Sequence, residues 1–416
     1  MPPVGCAVGP ARPTPGSWLA SRASLAGMSG TRLVGAYALL SAMAGVVFAT
    51  AILLGPYRAV ERSDYMTYHV AAQIVLDGDG VCLYTAECQA AAQRELIGEE
   101  PSFAGGALPY NSPPWFAALV APFGALPLQI SFAVFTLLGL VVLAWGTWRA
   151  TTHAGWTAPG VRLLAAMLIL TAWPTVMAAI RGQSTLLAAG LLALSVGLAR
   201  YRSGLAMGLS ALKLTLGPIW AAWQLIGGHW RAVGAAAAVL AAWLALTAVV
   251  VSPQALLDYP AHLMAVTSQD ASGVHPAEMI NWRGAAERLG VGGWLMVAGS
   301  LATLAVVAAI WLRTPSRHLG AAAAFLATPL VIPHANQHEF VLTALGILLA
   351  VAAAPELRRR LATIAVLLHP VLWTGLVLDA RASAWLLFSA GLVWLGVVAW
   401  LAGRGTARRG DAEPAI

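Results

Sequence analysis

The stretch "PPWFAALVAPFGALPLQISFAVFTLLGLVVLAWGT" (113–147) decides the fold, because it contains no charged residue and is longer than one membrane crossing requires. Further apolar runs of about 16 to 22 residues recur along the chain, close to the roughly 20 residues that span a bilayer core. The runs are continuous rather than alternating, which predicts membrane-spanning α-helices and not a β-barrel. Residues 113–147 form either two short spans around "PFGALP" or one long broken span, and the loop charges favour the one broken span.

The composition indicates the same class of protein. The chain has 416 residues, of which 59% are hydrophobic and only 10% charged, and its mean hydropathy is +0.75. Soluble proteins carry about 25% charged residues, so the polar residues here are too few to cover a globule in water. The net charge of +7 comes from arginines in short loops and at the C-terminus. That pattern is typical of membrane proteins and does not indicate a nucleic-acid partner.

The alternation of apolar and polar segments predicts one membrane domain with two tails. Residues 1–30 are rich in Pro, Gly, Ser and Ala and are expected to form a disordered cytoplasmic tail. Residues 31–403 form a single domain, interrupted by the polar segments 61–112 and 253–291, and residues 404–416 form a second cytoplasmic tail. The apolar segments lie at about 33–54, 113–147, 161–180, 184–199, 203–226, 232–252, 292–312, 319–333, 339–354, 361–376 and 383–402.

The loop charges predict how the domain is oriented in the cell membrane. Segment 61–112 is rich in Asp and Glu, whereas the loops "RTPSRH" (313–318) and "PELRRR" (355–360) are basic. Because short basic loops remain in the cytoplasm, both termini are expected inside and both polar segments outside. The stretch 203–226 is expected to enter and leave from the same side. The number of crossings is then even, about 10 to 12.

The first polar segment is expected to be structured. Its spacing predicts two short interfacial helices on the extracytoplasmic surface, at 64–78 and 85–97. Cys82 and Cys88 lie between or within them and form a disulfide or remain free thiols.

The stretch "ERSDYMTY" (61–68) places a carboxylate just beyond the first apolar run. Asp64 is either the N-cap of the following helix or a general base for a sugar hydroxyl. Tyr68 lies one helical turn further on and is a candidate sugar contact. Tyr110 and Asn111, in "LPYNSPPW" (108–115), enter the membrane close to the expected plane of Asp64 and are candidates for the same role.

Cations and amides follow at three further places. Arg181 and Gln183 lie at a tight turn in "AAIRGQSTLL" (178–187), and Lys213 lies deep in an apolar stretch, where an ionisable side chain indicates function. The second polar segment contains Asn281 and Arg283, and arginine matches phosphate oxygens with a planar fork. Arg181, Lys213 and Arg283 are therefore candidates for binding a phosphate, with Gln183 and Asn281 as candidate sugar contacts.

The stretch "PHANQHEF" (333–340) interrupts two apolar runs with polar side chains. His334 and His338 are four residues apart and Glu339 follows directly, a spacing that also occurs in metal sites. Tight sites of that kind bring further carboxylates or cysteines, so a wall of hydrogen-bonding groups for a sugar is favoured and no metal or other cofactor is expected.

One face of the membrane thus gathers a carboxylate, cations, amides and imidazoles. That set suits a lipid-linked phosphate substrate. An apolar groove would hold the lipid, cations would stabilise the leaving phosphate, and a base would activate the acceptor hydroxyl. The early aspartate, "YNSPPW" (110–115), "RGQ" (181–183), "LKLTLGP" (212–218) and "NWRG" (281–284) together resemble glycosyltransferase family 87, over roughly residues 33–402.

The resemblance implies a GT-C fold and transfer with inversion. It implies a polyprenyl-phosphate mannose donor and a glycolipid acceptor of the phosphatidylinositol-mannoside or lipomannan type, as in the α-1,2-mannosyltransferases of the family. Asp64 matches the family's base and Lys213 its intramembrane lysine. "NWRG" departs from the more usual Asn-Gln-Ser followed by a basic residue and glycine.

Two alternatives remain open at the level of sequence. Related family members transfer arabinofuranose from a polyprenyl phosphate. Broken helices and an intramembrane lysine also occur in transporters, so a lipid or sugar flippase is the rival class. The two long polar segments at one surface and the lack of an internal repeat favour the enzyme.

Overall fold

The computed structural model describes residues 60–98 apart from Arg62, 107–268, 275–314, 316–354 and 378–410, together with Met43. The expected tail 1–30, the first span at 33–54, the basic stretch 355–360 and the span at 361–376 lie outside the described residues.

The described part of the chain is entirely helical, without a strand. Sixteen α-helices follow one another: α1 (Tyr65–Leu76), α2 (Ala86–Ile97), α3 (Pro114–Gly124), α4 (Leu128–His153), α5 (Pro159–Leu170), α6 (Trp173–Ile180), α7 (Thr185–Gly197), α8 (Arg200–Leu209), α9 (Pro218–Ile226), α10 (Trp230–Val250), α11 (Pro253–Ser268), α12 (Trp282–Leu289), α13 (Trp294–Arg313), α14 (Arg317–Val331), α15 (Phe340–Ala353) and α16 (Ala380–Gly410). Short 3-10 turns lie at Gly80–Cys82, Ser210–Leu216, Pro276–Glu278 and Gln337–Glu339.

Four of these helices are long and apolar enough to cross a membrane: α4, α10, α13 and the Ala380–Arg404 part of α16. A fifth crossing is provided if α5 and α6, which are bent by 56° at their junction, count as one span. Shorter apolar helices accompany them: α3, α7 and Gln337–Ala353. The expectation of an all-α polytopic membrane protein is confirmed. Within the described residues, however, several apolar runs that are as long as a membrane span are divided into shorter helices.

The stretch 113–147 is one of these divided runs, and it contains one helix long enough to cross a membrane, which agrees with the one long broken span that the loop charges favour. Helix α3 ends at Gly124 and α4 begins after Pro127, which has no backbone N–H to continue a helix. Gly124 packs directly on α1, because a Cβ there would lie 2.9 Å from the Cβ of Ala72. The first half therefore covers α1, and only the second half is long enough to span the bilayer.

The stretch 203–226 folds back on itself, in agreement with its expected entry and exit on one side. Helices α8 and α10 run parallel, since a Cβ at Gly204 would meet Ala232 and a Cβ at Gly208 would meet Ala236. Their starts therefore lie at the same end, and α9 returns the chain to it. The hairpin turns at Lys213, whose φ of −124° and ψ of 87° interrupt the helical geometry.

The two polar segments pack against each other at one end of the bundle. The ring of Tyr84 lies 5.5 Å from that of Tyr259 and 4.8 Å from that of His262, measured between centroids. A disulfide joins Cys82 and Cys88, whose Cα atoms are 5.8 Å apart, so the bridged alternative is the one the structure contains.

Helix α1, the first of the two helices expected at the membrane surface, is covered by the rest of the protein on nearly all sides. Apart from Gln73, every residue from Tyr65 to Val75 is buried. Its sequence is apolar on all sides, which is typical of a core helix. Tyr65 packs against Phe132 and Phe135 of α4, with centroids 5.6 and 5.3 Å apart. Only α2, with buried Gln89 and Gln93 and an otherwise partly exposed surface, resembles the expected surface helix.

Candidate active site

Asp64 lies directly before α1 and is the candidate base of the site. It occupies the N-cap position, but its side chain makes no capping hydrogen bond, so the structure does not support the capping alternative. The carboxylate is 29% exposed. Both of its contacts go to Oδ2, and Oδ1 has no hydrogen-bond partner in the part of the chain that the structure describes. One carboxylate oxygen is thus fixed while the other stays available.

The turn between α6 and α7 brings Arg181 and Gln183 to Asp64. Gln183 donates from Nε2 to Asp64 Oδ2 over 2.5 Å, and Arg181 Nη1 lies 3.8 Å from the same oxygen. The turn depends on Gly182, which has a φ of +59° and approaches α1 so closely that a Cβ would lie 2.6 Å from the Cβ of Tyr65. A glycine at this position therefore allows an amide and a cation to reach a carboxylate far away in sequence.

Gln183 links Asp64 to Lys213. Its Oε1 accepts hydrogen bonds from Lys213 Nζ and from the Tyr68 hydroxyl, each at 3.3 Å. These donors require the amide oxygen on their side, so the amide nitrogen must face Asp64. Tyr68 itself is buried and also contacts Ser184 at 3.4 Å.

Lys213 belongs to a buried ion pair, which changes the role expected for it. Its Nζ donates to Glu339 Oε1 over 2.5 Å and to Thr185 Oγ1 over 2.6 Å. His338 Nε2 lies 2.8 Å from the same Glu339 oxygen, and the Glu339 side chain is only 2% exposed. The lysine charge is therefore already matched by a carboxylate, a balance that a buried charge requires.

The second polar segment is attached to the break between α14 and α15. Ile280 donates its backbone N–H to the Ala335 carbonyl over 2.9 Å. The side chain of Asn281 donates to the Ile332 carbonyl over 2.7 Å and accepts from the Gly284 N–H over 2.8 Å. Asn281 is fully buried, so in this structure it fastens one loop to another and caps α12.

This attachment brings Arg283 to His334. Burial lowers the pKa of His334, the Glu339 carboxylate opposes that shift, and the charges of Lys213, His338 and Arg283 lower the pKa further. His334 is half-buried and its Nε2 lies 3.2 Å from the Asn336 amide. Burial and the neighbouring cations therefore favour the neutral form of this imidazole.

Two of the candidate sugar contacts, Tyr110 and Asn111, form no hydrogen bond with Asp64, Gln183 or Lys213 among the described residues. Tyr110 is fully buried and donates its hydroxyl hydrogen to the Pro113 carbonyl over 3.0 Å. Asn111 is exposed, and its Oδ1 lies 3.1 Å from His262 Nε2. Asn111 therefore joins the two polar segments to each other, whereas the Tyr110 ring packs edge-on against that of Tyr68, with centroids 6.4 Å apart.

Two further members of the network are Glu339, which the sequence indicates only as a possible metal ligand beside the two histidines, and Thr185, which it does not indicate at all. Glu339 is visible in the sequence as an acidic residue between apolar runs, a signal equal to that of Lys213. Thr185 has no such signal, because a threonine at the start of an apolar helix is ordinary. Among the described residues, no group of three or more His, Cys, Asp or Glu side chains is arranged to hold a metal ion.

Comparison with protein families identifies the family of the chain. The model of glycosyltransferase family 87 matches residues 110–333, more than half of the chain. The chain belongs to glycosyltransferase family 87. It is therefore a membrane glycosyltransferase, an enzyme class that uses a lipid-linked donor, an acceptor and the bilayer. No curated protein and no solved structure matched the chain.

The matched segment of this glycosyltransferase contains Gln183, Lys213 and Arg283. Asp64 precedes it, and Glu339 follows it closely. Two hydrogen bonds join these flanking residues to the matched segment. The Gln183 amide donates to Asp64, and the Lys213 amine donates to Glu339.

Proposed function

We propose that this glycosyltransferase transfers a mannosyl residue from polyprenyl-phosphate mannose to a glycolipid acceptor of the phosphatidylinositol-mannoside or lipomannan type, with inversion and α-1,2 linkage. Asp64 is the general base. The site faces the extracytoplasmic side of the cell membrane, and both termini are cytoplasmic.

The observation that carries the proposal is the arrangement of the Asp64 carboxylate. A general base must lie within hydrogen-bonding reach of the proton that it takes. Asp64 is partly exposed, and Gln183 fixes its Oδ2 at 2.5 Å while Oδ1 has no partner among the described residues. Asp64 is also the carboxylate next to Arg181, whose guanidinium is half-exposed.

In the proposed reaction the acceptor hydroxyl gives its proton to Asp64 as its oxygen attacks the anomeric carbon. The bond between that carbon and the phosphate oxygen breaks, and the polyprenyl phosphate leaves with the bonding electrons. The configuration at the anomeric carbon inverts, because attack and departure occur on opposite faces of the sugar. The leaving phosphate gains negative charge and requires nearby cations.

Arg181 and Arg283 are the favoured phosphate-binding residues. Arginine binds phosphate oxygens through two parallel N–H groups, and Arg181 lies beside the base. Lys213 is paired with Glu339, so its contribution to phosphate binding is indirect, through Gln183. His334 and His338 line the same region from the break between α14 and α15 and are candidates for contacts to the sugar.

The donor is tested by offering purified full-length protein radiolabelled mannosyl and arabinofuranosyl polyprenyl phosphates in parallel, with a phosphatidylinositol mannoside as acceptor. Labelled product is expected from the mannosyl donor. Product from the arabinofuranosyl donor alone would contradict the sugar assignment. Product from neither donor, with movement of labelled lipid across reconstituted vesicles, would support a flippase instead.

A further inference from the structure

A basic pocket lies at the end of the bundle away from Asp64. It has a volume of about 370 Å³ and is lined by Arg149, Arg200, Tyr201 and Arg202 together with residues 197–199. Helix α7 separates the two places, since Gln183 precedes it and Gly197 ends it. A helix of 13 residues is about 20 Å long, so this basic pocket is distinct from the candidate active site.

The positive charge of the basic pocket is not balanced by any salt bridge among the residues that the structure describes. The sequence explains why, because it contains no acidic residue between Glu100 and Asp258. Beneath the pocket, Arg317 donates from Nη2 to the Ser195 carbonyl and to Ser203 Oγ, each at 3.0 Å, and so adds a further cation.

The backbone at the basic pocket also favours an anion. Helix α8 begins there, and its N-cap residue Ala199 has no side chain that could accept from the first N–H groups. Such N–H groups point at bound anions. Arg200 adopts a φ of +51°, a left-handed conformation that costs roughly 1 kcal/mol for a residue with a side chain. Non-glycine residues in such conformations cluster at ligand-binding sites.

An apolar stripe continues from the pocket along α8. Tyr201, Leu205 and Leu209 are spaced four residues apart and are 52%, 41% and 40% exposed, so they lie on one face of the helix. A soluble phosphate would not need this stripe. A phospholipid would place its headgroup among the arginines and an acyl chain along Tyr201, Leu205 and Leu209.

We propose that the basic pocket binds the phosphodiester headgroup of an anionic phospholipid in the leaflet at that end of the bundle. The ligand class follows from the three uncompensated arginines, the open start of α8 and the adjoining apolar stripe. This site is independent of the sugar donor and of the acceptor.

The test titrates full-length protein in detergent with dioctanoyl phosphatidylglycerol and counts bound lipids by native mass spectrometry. Each arginine near an anionic headgroup contributes a factor of about five. The triple variant Arg149→Gln, Arg200→Gln, Arg202→Gln should therefore bind roughly 100-fold more weakly. The triple lysine variant at the same positions should retain most of the binding, which shows that loss in the glutamine variant is not misfolding.

Matched controls use arginines outside the basic pocket. Arg94 and Arg381 are exposed, and replacing both by glutamine should leave the affinity unchanged. Equal binding by wild type and the pocket glutamine variant would overturn the proposal. Two further results would also overturn it: equal affinity for dioctanoyl phosphatidylcholine, or competition by inorganic phosphate as strong as by the lipid, which would assign the pocket to a soluble anion.

Discussion

Gln183 donates a 2.5 Å hydrogen bond to Asp64, and the two residues are 119 positions apart in the chain. The same amide accepts from Lys213 and Tyr68, so its orientation is dictated from within the bundle. Asp64 is consequently held by a group whose own position is fixed. Such support of a reacting side chain by a packed neighbour is how a site keeps its geometry.

Replacing Gln183 by leucine is expected to lower turnover by about tenfold or more, because misplacement of a base by about 1 Å is costly. Transfer assays on purified protein measure the effect, with donor KM changing less than kcat. The matched control is Gln254→Leu, which removes an exposed amide that donates to Asp258 over 2.7 Å. Equal activity of the Gln183 and Gln254 variants would show that the Gln183 contact does not position the base.

Glu339→Gln is expected to destabilise the protein by about 3 kcal/mol, because it leaves the buried Lys213 amine without its counter-charge. Thermal unfolding in detergent measures the loss. The double variant Lys213→Met, Glu339→Gln should lose less than the sum of the two single variants, since neither charge is then unpaired. Additive losses would mean that the two charges are not coupled. Glu287→Gln, at an exposed position of α12, serves as the control.

Gly182→Ala is expected to lower both stability and activity. The new Cβ would meet Tyr65 at 2.6 Å and Phe132 at 2.9 Å, at a φ of +59°. Gly155 provides the comparison, because it has a φ of +79° but no atom within 4 Å of an added Cβ. Both variants carry about 1 kcal/mol of backbone strain, and only Gly182→Ala adds a clash, of about 1 to 3 kcal/mol. Indistinguishable unfolding temperatures would contradict the close packing of this turn on α1.

The orientation is tested by cysteine labelling in intact cells, in a variant whose native cysteines are replaced. A cysteine at Gln254 in α11 should react with an impermeant reagent, because the polar segments are expected outside. A cysteine at Arg313, at the other end of α13, should react only after the cells are opened. Labelling of Arg313→Cys in intact cells would reverse the proposed orientation.

The sequence alone is sufficient to predict a polytopic α-helical membrane protein and to identify its individual polar residues. Long apolar runs, the charge of the loops and the position of Asp64 beyond an apolar run are all local signals. Lys213 and Arg181 stand out because charge is rare here.

The sequence does not show which of these residues contact each other in the folded protein. Lys213 and Glu339 are 126 positions apart, and only the hairpin formed by α8 and α9 brings the lysine to the break before α15. Helix α1 illustrates the same limit, because its position after a span suggests a surface helix, whereas its packing on α3 and α4 makes it part of the core.

The most direct test of the proposed mechanism is the activity of Asp64→Asn. Asparagine keeps the shape of the side chain but does not accept the proton, and loss of a general base costs roughly 100-fold or more in rate. Transfer of labelled mannose by purified protein is measured beside Asp77→Asn, an exposed aspartate at the other end of α1. The expected result is an Asp64→Asn protein that inserts and unfolds like wild type and retains about 1% of its activity or less. Activity above about a tenth of wild type would contradict the assignment of Asp64 as the base.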